Sequence, residues 1–146
     1  MSLHSLGVGT TLILGGARSG KSAFAEKLVL ESGLKPIYIA TSQVWDEEMR
    51  ARVDAHIARR GDNWVCIEAP LELEKALRDA DQPGNAILVD CLTLWVTNLM
   101  MAEANIGGRF STLLKQIQHS KAPLVLVTNE VGLGIVPENK MAREFR

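Results

Sequence analysis

Thr11-Leu12-Ile13-Leu14-Gly15-Gly16-Ala17-Arg18-Ser19-Gly20-Lys21-Ser22-Ala23-Phe24-Ala25-Glu26-Lys27-Leu28-Val29-Leu30 is the stretch that decides the fold. The apolar run Thr11 to Leu14 predicts a strand, and Ala23 to Leu30 carries a helical pattern. Between them Gly15 to Ser22 reads G-G-A-R-S-G-K-S, a complete G-x-x-x-x-G-K-[ST] phosphate-binding loop in the strand–loop–helix setting that gives the motif its meaning. Each position has a task. Gly15 and Gly20 let the chain turn so that successive N–H groups meet phosphate oxygens, and the helix N-terminus adds a partial positive charge. The expected nucleotide-binding set is Gly15, Gly16, Ala17, Arg18, Ser19, Gly20, Lys21 and Ser22. Lys21 reaches the β- and γ-phosphates and takes a catalytic role, while the Ser22 hydroxyl is placed to ligate Mg²⁺. A glycine-rich turn before an ordinary helix would need neither the Lys-Ser pair nor both glycines. The sequence predicts a nucleoside triphosphate.

Further apolar, β-branched runs follow at Pro36 to Ala40, Trp64 to Ile67, Ala86 to Val89 and Leu124 to Thr128. Several lack alternation, as strands covered on both faces do. Helical patterns lie between them: Ser22 to Ser32, stopped by Gly33; Asp46 to Arg60, with Asp46 as N-cap and Gly61 as the stop; Leu71 to Asp79; Leu92 to Glu103; and Phe110 to His119. Alternating strands and helices predict an α/β fold, a doubly wound, mostly parallel sheet with helices on both faces and right-handed crossovers. Ala104 to Gly108 reads as a surface loop, and Pro137 to Arg146 as the start of another helix.

A chain of 146 residues suits a single nucleotide-binding domain spanning 1–146, with 47% hydrophobic and 23% charged residues marking a globular protein. The net charge of −1 carries no polyelectrolyte signature, so nucleic acid is not an expected partner. No apolar stretch approaches the roughly 20 residues of a membrane span. Met1-Ser2-Leu3-His4 lacks the basic and apolar blocks of a signal peptide. Cys66 and Cys91 stand far apart in predicted strand regions and read as buried thiols. A cytoplasmic enzyme fits these features.

Three further positions carry chemistry. Asp90 ends the run Ala86-Ile87-Leu88-Val89 and would reach the carboxyl edge of the sheet, where a carboxylate completes a Mg²⁺ site with Ser22; the same position is compatible with capping a helix at Leu92. Glu130 ends Val125-Leu126-Val127-Thr128-Asn129 and would arrive at the same edge, as an acid/base group, a metal ligand or a cap for the turn at Gly132. Arg52, His56 and Arg60 stand at i, i+4 and i+8 of one helix, with Arg59 widening the cationic patch. A neutral imidazole beside phosphate-binding arginines has the properties of a nucleophile toward phosphorus. A solvated basic face with an idle histidine is the competing reading. His4 and His119 have no comparable company.

These residues resemble the bifunctional adenosylcobinamide kinase/adenosylcobinamide-phosphate guanylyltransferase family. Matching segments are Gly15 to Ser22, Tyr38-Ile39-Ala40-Thr41-Ser42-Gln43, Asp46 to Met49, Arg52-Val53-Asp54-Ala55-His56, Trp64 to Pro70, Asp90 to Leu99 and Thr128 to Pro137. They run in order over most of the chain, and the Arg-x-x-x-His helix combined with T-N-E-V-G-x-G-I-V-P is narrow in its distribution. The resemblance implies a RecA-like P-loop NTPase fold, a ring of three subunits, and ATP and GTP as substrates with Mg²⁺. It implies phosphorylation of adenosylcobinamide, then transfer of GMP from GTP through a guanylyl-histidine at His56 to give adenosylcobinamide-GDP in cobalamin biosynthesis. Lys21 and His56 are the expected catalytic residues, with Arg52 and Arg60 joining the nucleotide site. Family members usually continue through a Gly-Arg-x-Asn-Gln segment and a final strand, so the chain is expected to lack its C-terminal segment. A P-loop small-molecule kinase without a covalent step, and a nucleotide-dependent switch or assembly ATPase, are the alternatives.

Overall fold

A computed structural model describes residues 9–15 and 20–129. Gly16 to Ser19, His4, Glu130 and the helix expected from Pro137 lie outside the described residues. In chain order the elements are β1 (Thr10–Gly15), α1 (Lys21–Glu31), β2 (Lys35–Ala40), α2 (Glu47–Arg60), β3 (Val65–Glu68), α3 (Leu73–Ala80), β4 (Asn85–Asp90), α4 (Leu92–Met101), α5 (Ile106–Gln118) and β5 (Leu124–Asn129). The five strands form one sheet in the order β1-β5-β4-β2-β3, and every pairing is parallel. All carboxyl ends therefore fall on one edge, bringing Gly15, Ala40, Glu68, Asp90 and Asn129 to the same side of the molecule.

Side chains alternate across each strand, and here both sets are apolar. Ile37, Ile39, Ile87, Val89, Leu124 and Leu126 meet α3, α4 and α5. Ile13, Tyr38, Leu88, Val125 and Val127 meet α1 and Trp64. This double cover explains the unbroken apolar runs of β2, β4 and β5, whereas Leu12 and Leu14 of the edge strand β1 are exposed. α2 stands apart: none of its residues is buried.

Most helix punctuation is as the sequence predicts. Asp46 caps α2, its carboxylate accepting from the Met49 N–H at 2.8 Å, and Gly61 ends it. Three expectations are corrected. The segment 104–108 is not wholly a loop, because α5 begins at Ile106 with Asn105 as its cap, accepting from the Gly108 N–H at 3.1 Å. Gly107 and Gly108 fall in the first turn, where N–H groups have no intrahelical partner and a cap matters more than propensity. Ile106, Phe110, Leu113 and Ile117 then stack on the core and hold the helix in place. Trp64 precedes β3 and packs edge-on to Tyr38, at 6.0 Å between ring centroids. Finally, Cys91 lies at the N-cap of α4, outside any strand, and Cys66 is only half-buried.

Candidate active site

The carboxyl edge of a parallel sheet is where loops converge and ligands bind. At that edge β1 ends at Gly15, and Gly20 caps α1 in the left-handed conformation, φ +78°, which a side chain would strain. The Phe24 N–H closes the first turn on the Gly20 carbonyl at 3.1 Å. Lys21 is the first residue of α1 and is buried. Ser22 follows, and its hydroxyl donates to Asp90 Oδ2 at 3.2 Å across 68 residues of sequence.

Asp90 is the last residue of β4, in register with Ala40 and Val127. It is not the cap of α4. That role falls to Cys91, whose Sγ accepts from the Leu94 N–H at 3.3 Å, so the Asp90 carboxylate stays with Ser22. A second donor reaches the same oxygen: the Tyr38 hydroxyl, at 2.6 Å. Burial above all, and then the Asp90 charge, push the Tyr38 phenol far above its ordinary pKa, so it serves as a donor. Thr41 and Asn98 pin the neighbouring strand ends. The Thr41 hydroxyl donates to the Cys91 carbonyl at 2.7 Å and accepts from the Cys91 N–H at 2.9 Å. Asn98 Nδ2 donates to the carbonyls of Thr41 at 2.7 Å and Pro70 at 3.0 Å. Both side chains are buried and satisfied, and they fix the rim that positions Asp90.

Facing α1 across the edge, α2 is tied to β3 by Arg50, which forks onto Glu68 at 3.2 and 2.5 Å. Between the two helices lies a cavity of about 370 Å³ lined by Ser22, Tyr38, His56, Arg59, Arg60 and Asp90 among others. The residues singled out in the sequence are thus partly gathered. Ser22, His56, Arg60 and Asp90 share this cavity; Gly15, Gly20 and Lys21 lie along the adjoining loop and helix start; Arg52 is exposed on α2 and is not a lining residue. The cationic patch around His56 carries a countercharge that helical spacing did not reveal. Glu26 of α1 lies 3.7 Å from Arg59 and 3.6 Å from Arg60.

Sequence reasoning also gave no role to Tyr38. Its signal was present, a single polar-tipped aromatic in the aliphatic run Ile37-Tyr38-Ile39, but its partner lies 52 residues away. The Ser22 hydroxyl and Asp90 carboxylate are hard oxygen donors on two elements that meet, which fits Mg²⁺, an ion that takes one or two protein oxygens and completes its shell with phosphate and water.

Residues 11–146 match the cobinamide kinase / cobinamide phosphate guanyltransferase family. The chain belongs to this family. It is a cobinamide kinase and cobinamide-phosphate guanylyltransferase of cobalamin biosynthesis, acting on cobinamide and nucleoside triphosphates. The bifunctional adenosylcobalamin biosynthesis protein CobP of Pseudomonas aeruginosa is 46% identical over 136 residues, 92% of this chain and 79% of its own length. The bifunctional adenosylcobalamin biosynthesis proteins CobU of Escherichia coli and Salmonella typhimurium are 39% and 41% identical, each over 92% of this chain and 82% of theirs. Among solved structures, a prototypical ATPase from the type III secretion system of pathogenic bacteria superposes with a TM-score of 0.57 at 13% identity. The match covers 94% of this chain and 48% of that one, so the chain spans about half of the ATPase. At that identity the likeness is one of fold, and it bears out the expected α/β architecture with a parallel sheet. No described helix is long and apolar enough to cross a membrane.

Proposed function

We propose that the cavity between α1 and α2 is one nucleotide site serving two successive reactions on adenosylcobinamide, with His56 as the guanylyl carrier. The observation that carries this reading is that His56, Ser22 and Asp90 line the same cavity although they come from three different elements.

In the first reaction the terminal hydroxyl of the aminopropanol arm attacks the γ-phosphorus of a nucleoside triphosphate such as ATP, and the diphosphate leaves. Gly15 to Ser22 cradle the phosphates, Lys21 offsets charge on the transferring group, and Asp90 or Glu130 accepts the hydroxyl proton. Ser22 and Asp90 hold Mg²⁺, which when bound polarises the phosphate oxygens toward the incoming nucleophile.

In the second reaction the His56 imidazole attacks the α-phosphorus of GTP; a P–N bond forms as the P–O bond to pyrophosphate breaks. A phosphate oxygen of adenosylcobinamide phosphate then attacks that phosphorus, the P–N bond breaks, and adenosylcobinamide-GDP leaves a free imidazole. The covalent intermediate separates departure of pyrophosphate from binding of the bulky corrinoid. Arg52 meets phosphate oxygens from the exposed side of α2.

The test is incubation with α-labelled GTP and Mg²⁺. The protein should retain label that is lost in acid and stable in base, as a phosphoramidate is, and His56→Ala should lose it while phosphoryl transfer to cobinamide continues. Label retained by His56→Ala overturns the assignment, and a complete absence of label in the unaltered protein favours a kinase without a covalent step. The same reading carries a homo-oligomer, a ring of three subunits working in the cytoplasm; a sedimentation mass equal to one chain would remove the ring.

A further inference from the structure

Arg60 is the last residue of α2, and helical spacing places it beside His56 as a phosphate ligand. Its packing points elsewhere. The guanidinium carbon lies 3.4 Å from the centroid of the Tyr38 ring. Its Nε is 3.6 Å from Glu26 Oε2, Nη1 donates to Cys66 Sγ at 3.8 Å, and the side chain is only 6% exposed. Arg59, by contrast, is 63% exposed. A guanidinium stacked on an aromatic face beside a carboxylate is held by the protein's own groups, although its Nε makes no hydrogen bond. Beneath it, the Tyr38 hydroxyl donates at 2.6 Å to the Asp90 oxygen that also accepts from Ser22 at 3.2 Å. One run of contacts therefore leads from the end of the His56 helix, through a single tyrosine, to Asp90 and the phosphate-loop serine.

We infer that Tyr38 and Arg60 are positioning residues that set the His56 helix in register with Ser22 and Asp90, the Tyr38 ring seating Arg60 and its hydroxyl orienting Asp90. The inference rests on the roles proposed for His56 and Asp90. Its consequence is unequal for the two reactions. Guanylylation needs α2 and the phosphate loop together, and a displacement of about 1 Å of a reacting group costs about 10²-fold in rate. Phosphoryl transfer does not use His56 and depends only on the Tyr38–Asp90 half.

Arg60→Met and Tyr38→Phe separate the halves, since the first removes the stack and spares the hydroxyl, and the second does the reverse. In Arg60→Met the rate of protein labelling at saturating GTP should fall at least about 10-fold more than the kinase kcat. Amide hydrogen exchange in α2 should quicken relative to α1. In Tyr38→Phe the Mg²⁺ concentration giving half-maximal GDP binding by calorimetry should rise several-fold. A raised KM for GTP with an unchanged labelling kcat in Arg60→Met would make Arg60 a nucleotide ligand and overturn its positioning role. A lower melting temperature with both reactions reduced equally would make it merely structural and do the same. Unchanged Mg²⁺ dependence in Tyr38→Phe overturns the tyrosine's part. His56→Ala is run alongside: if it loses label while Arg60→Met labels at the wild-type rate, this inference alone fails, whereas label surviving in His56→Ala removes the reading beneath it.

Discussion

α1 and α2 flank the same cavity and are attached to the protein in opposite ways. α1 sinks Ala25, Leu28 and Val29 between itself and the sheet. α2, at 14 residues the longest helix described, buries none. Its ties are polar: Arg50 to Glu68, Arg59 and Arg60 to Glu26, and Arg60 on Tyr38. A fully buried aliphatic side chain is worth roughly 1.5–3 kcal/mol, and an exposed ion pair such as Arg50–Glu68 about 0–1 kcal/mol. The wall that begins with Lys21 and Ser22 is therefore part of the hydrophobic core, while the wall that carries His56 is held at a few polar points. A phosphate cradle needs fixed amides to stabilise charge without reorganising. On the proposed carrier role of His56, α2 has to keep one face open to substrates as large as a corrinoid, and an apolar seam along it would close that face.

The largest expected contrast comes from truncating one apolar residue on each wall. Leu28→Ala should cost about 2–4 kcal/mol in urea unfolding, since Leu28 is 3% exposed in the core. Ile57→Ala, at a half-buried position of α2, should cost under about 1 kcal/mol. Equal losses would break the comparison.

α5 lies between these extremes and sharpens it. Leu113 is buried, while Arg109 grips Glu74 of α3 through two hydrogen bonds of 2.6 and 2.9 Å and donates to the Leu71 carbonyl. Burial by itself would raise the Glu74 carboxyl, but the Arg109 hydrogen bonds and charge outweigh it and hold the group below its ordinary value. A carboxyl lowered in the folded state adds stability above its unfolded pKa, and that stability is lost as the pH falls through the folded value. The wild-type protein should therefore lose more stability than Glu74→Gln between about pH 5 and about pH 3. Arg109→Met, which leaves the carboxylate without its partner, should cost about 2–3 kcal/mol at neutral pH. Identical acid profiles for wild type and Glu74→Gln would show that the pair adds nothing.

Two smaller effects bear on α2 alone. Asp46→Ala removes the cap on Met49 and should cost about 1 kcal/mol, seen as faster amide exchange confined to the first turn of α2. Raising salt to about 1 M, where the Debye length is about 3 Å, should quicken exchange in α2 relative to α1 by a few tenths of a kcal/mol. An unchanged ratio would mean that the exposed ion pairs of α2 do not hold the helix.

The legible parts of the protein share a physical character. β2, β4 and β5 could be read from apolar runs because both faces of the inner sheet are covered; the edge strands β1 and β3 were read from runs of the same kind, although Leu12, Leu14 and Val65 are exposed. Asp46, Gly33 and Gly61 could be read because caps and stops are local. The start of α5 was missed for the opposite reason: Gly107 and Gly108 weaken a helix locally, and only the Asn105 cap and the packing of Ile106 and Phe110 on the core outweigh them. At the site, Ser22, His56 and Asp90 were visible through motif and resemblance. Glu26 and Tyr38 were not, since neither belongs to a spacing pattern and each acts through a residue distant in sequence.

By itself the sequence determined the G-x-x-x-x-G-K-S motif, the alternation of strands and helices, and the family, because these depend on neighbours within a few residues or on motifs read in order. The tertiary structure alone decided what meets at the carboxyl edge. The strand order β1-β5-β4-β2-β3 sets β4 next to β2. That adjacency brings the Tyr38 hydroxyl to Asp90, and the packing of α1 on the same face brings Ser22 to it and Glu26 to the arginines of α2. No local rule encodes such a meeting, because it follows from how the whole sheet is paired and covered.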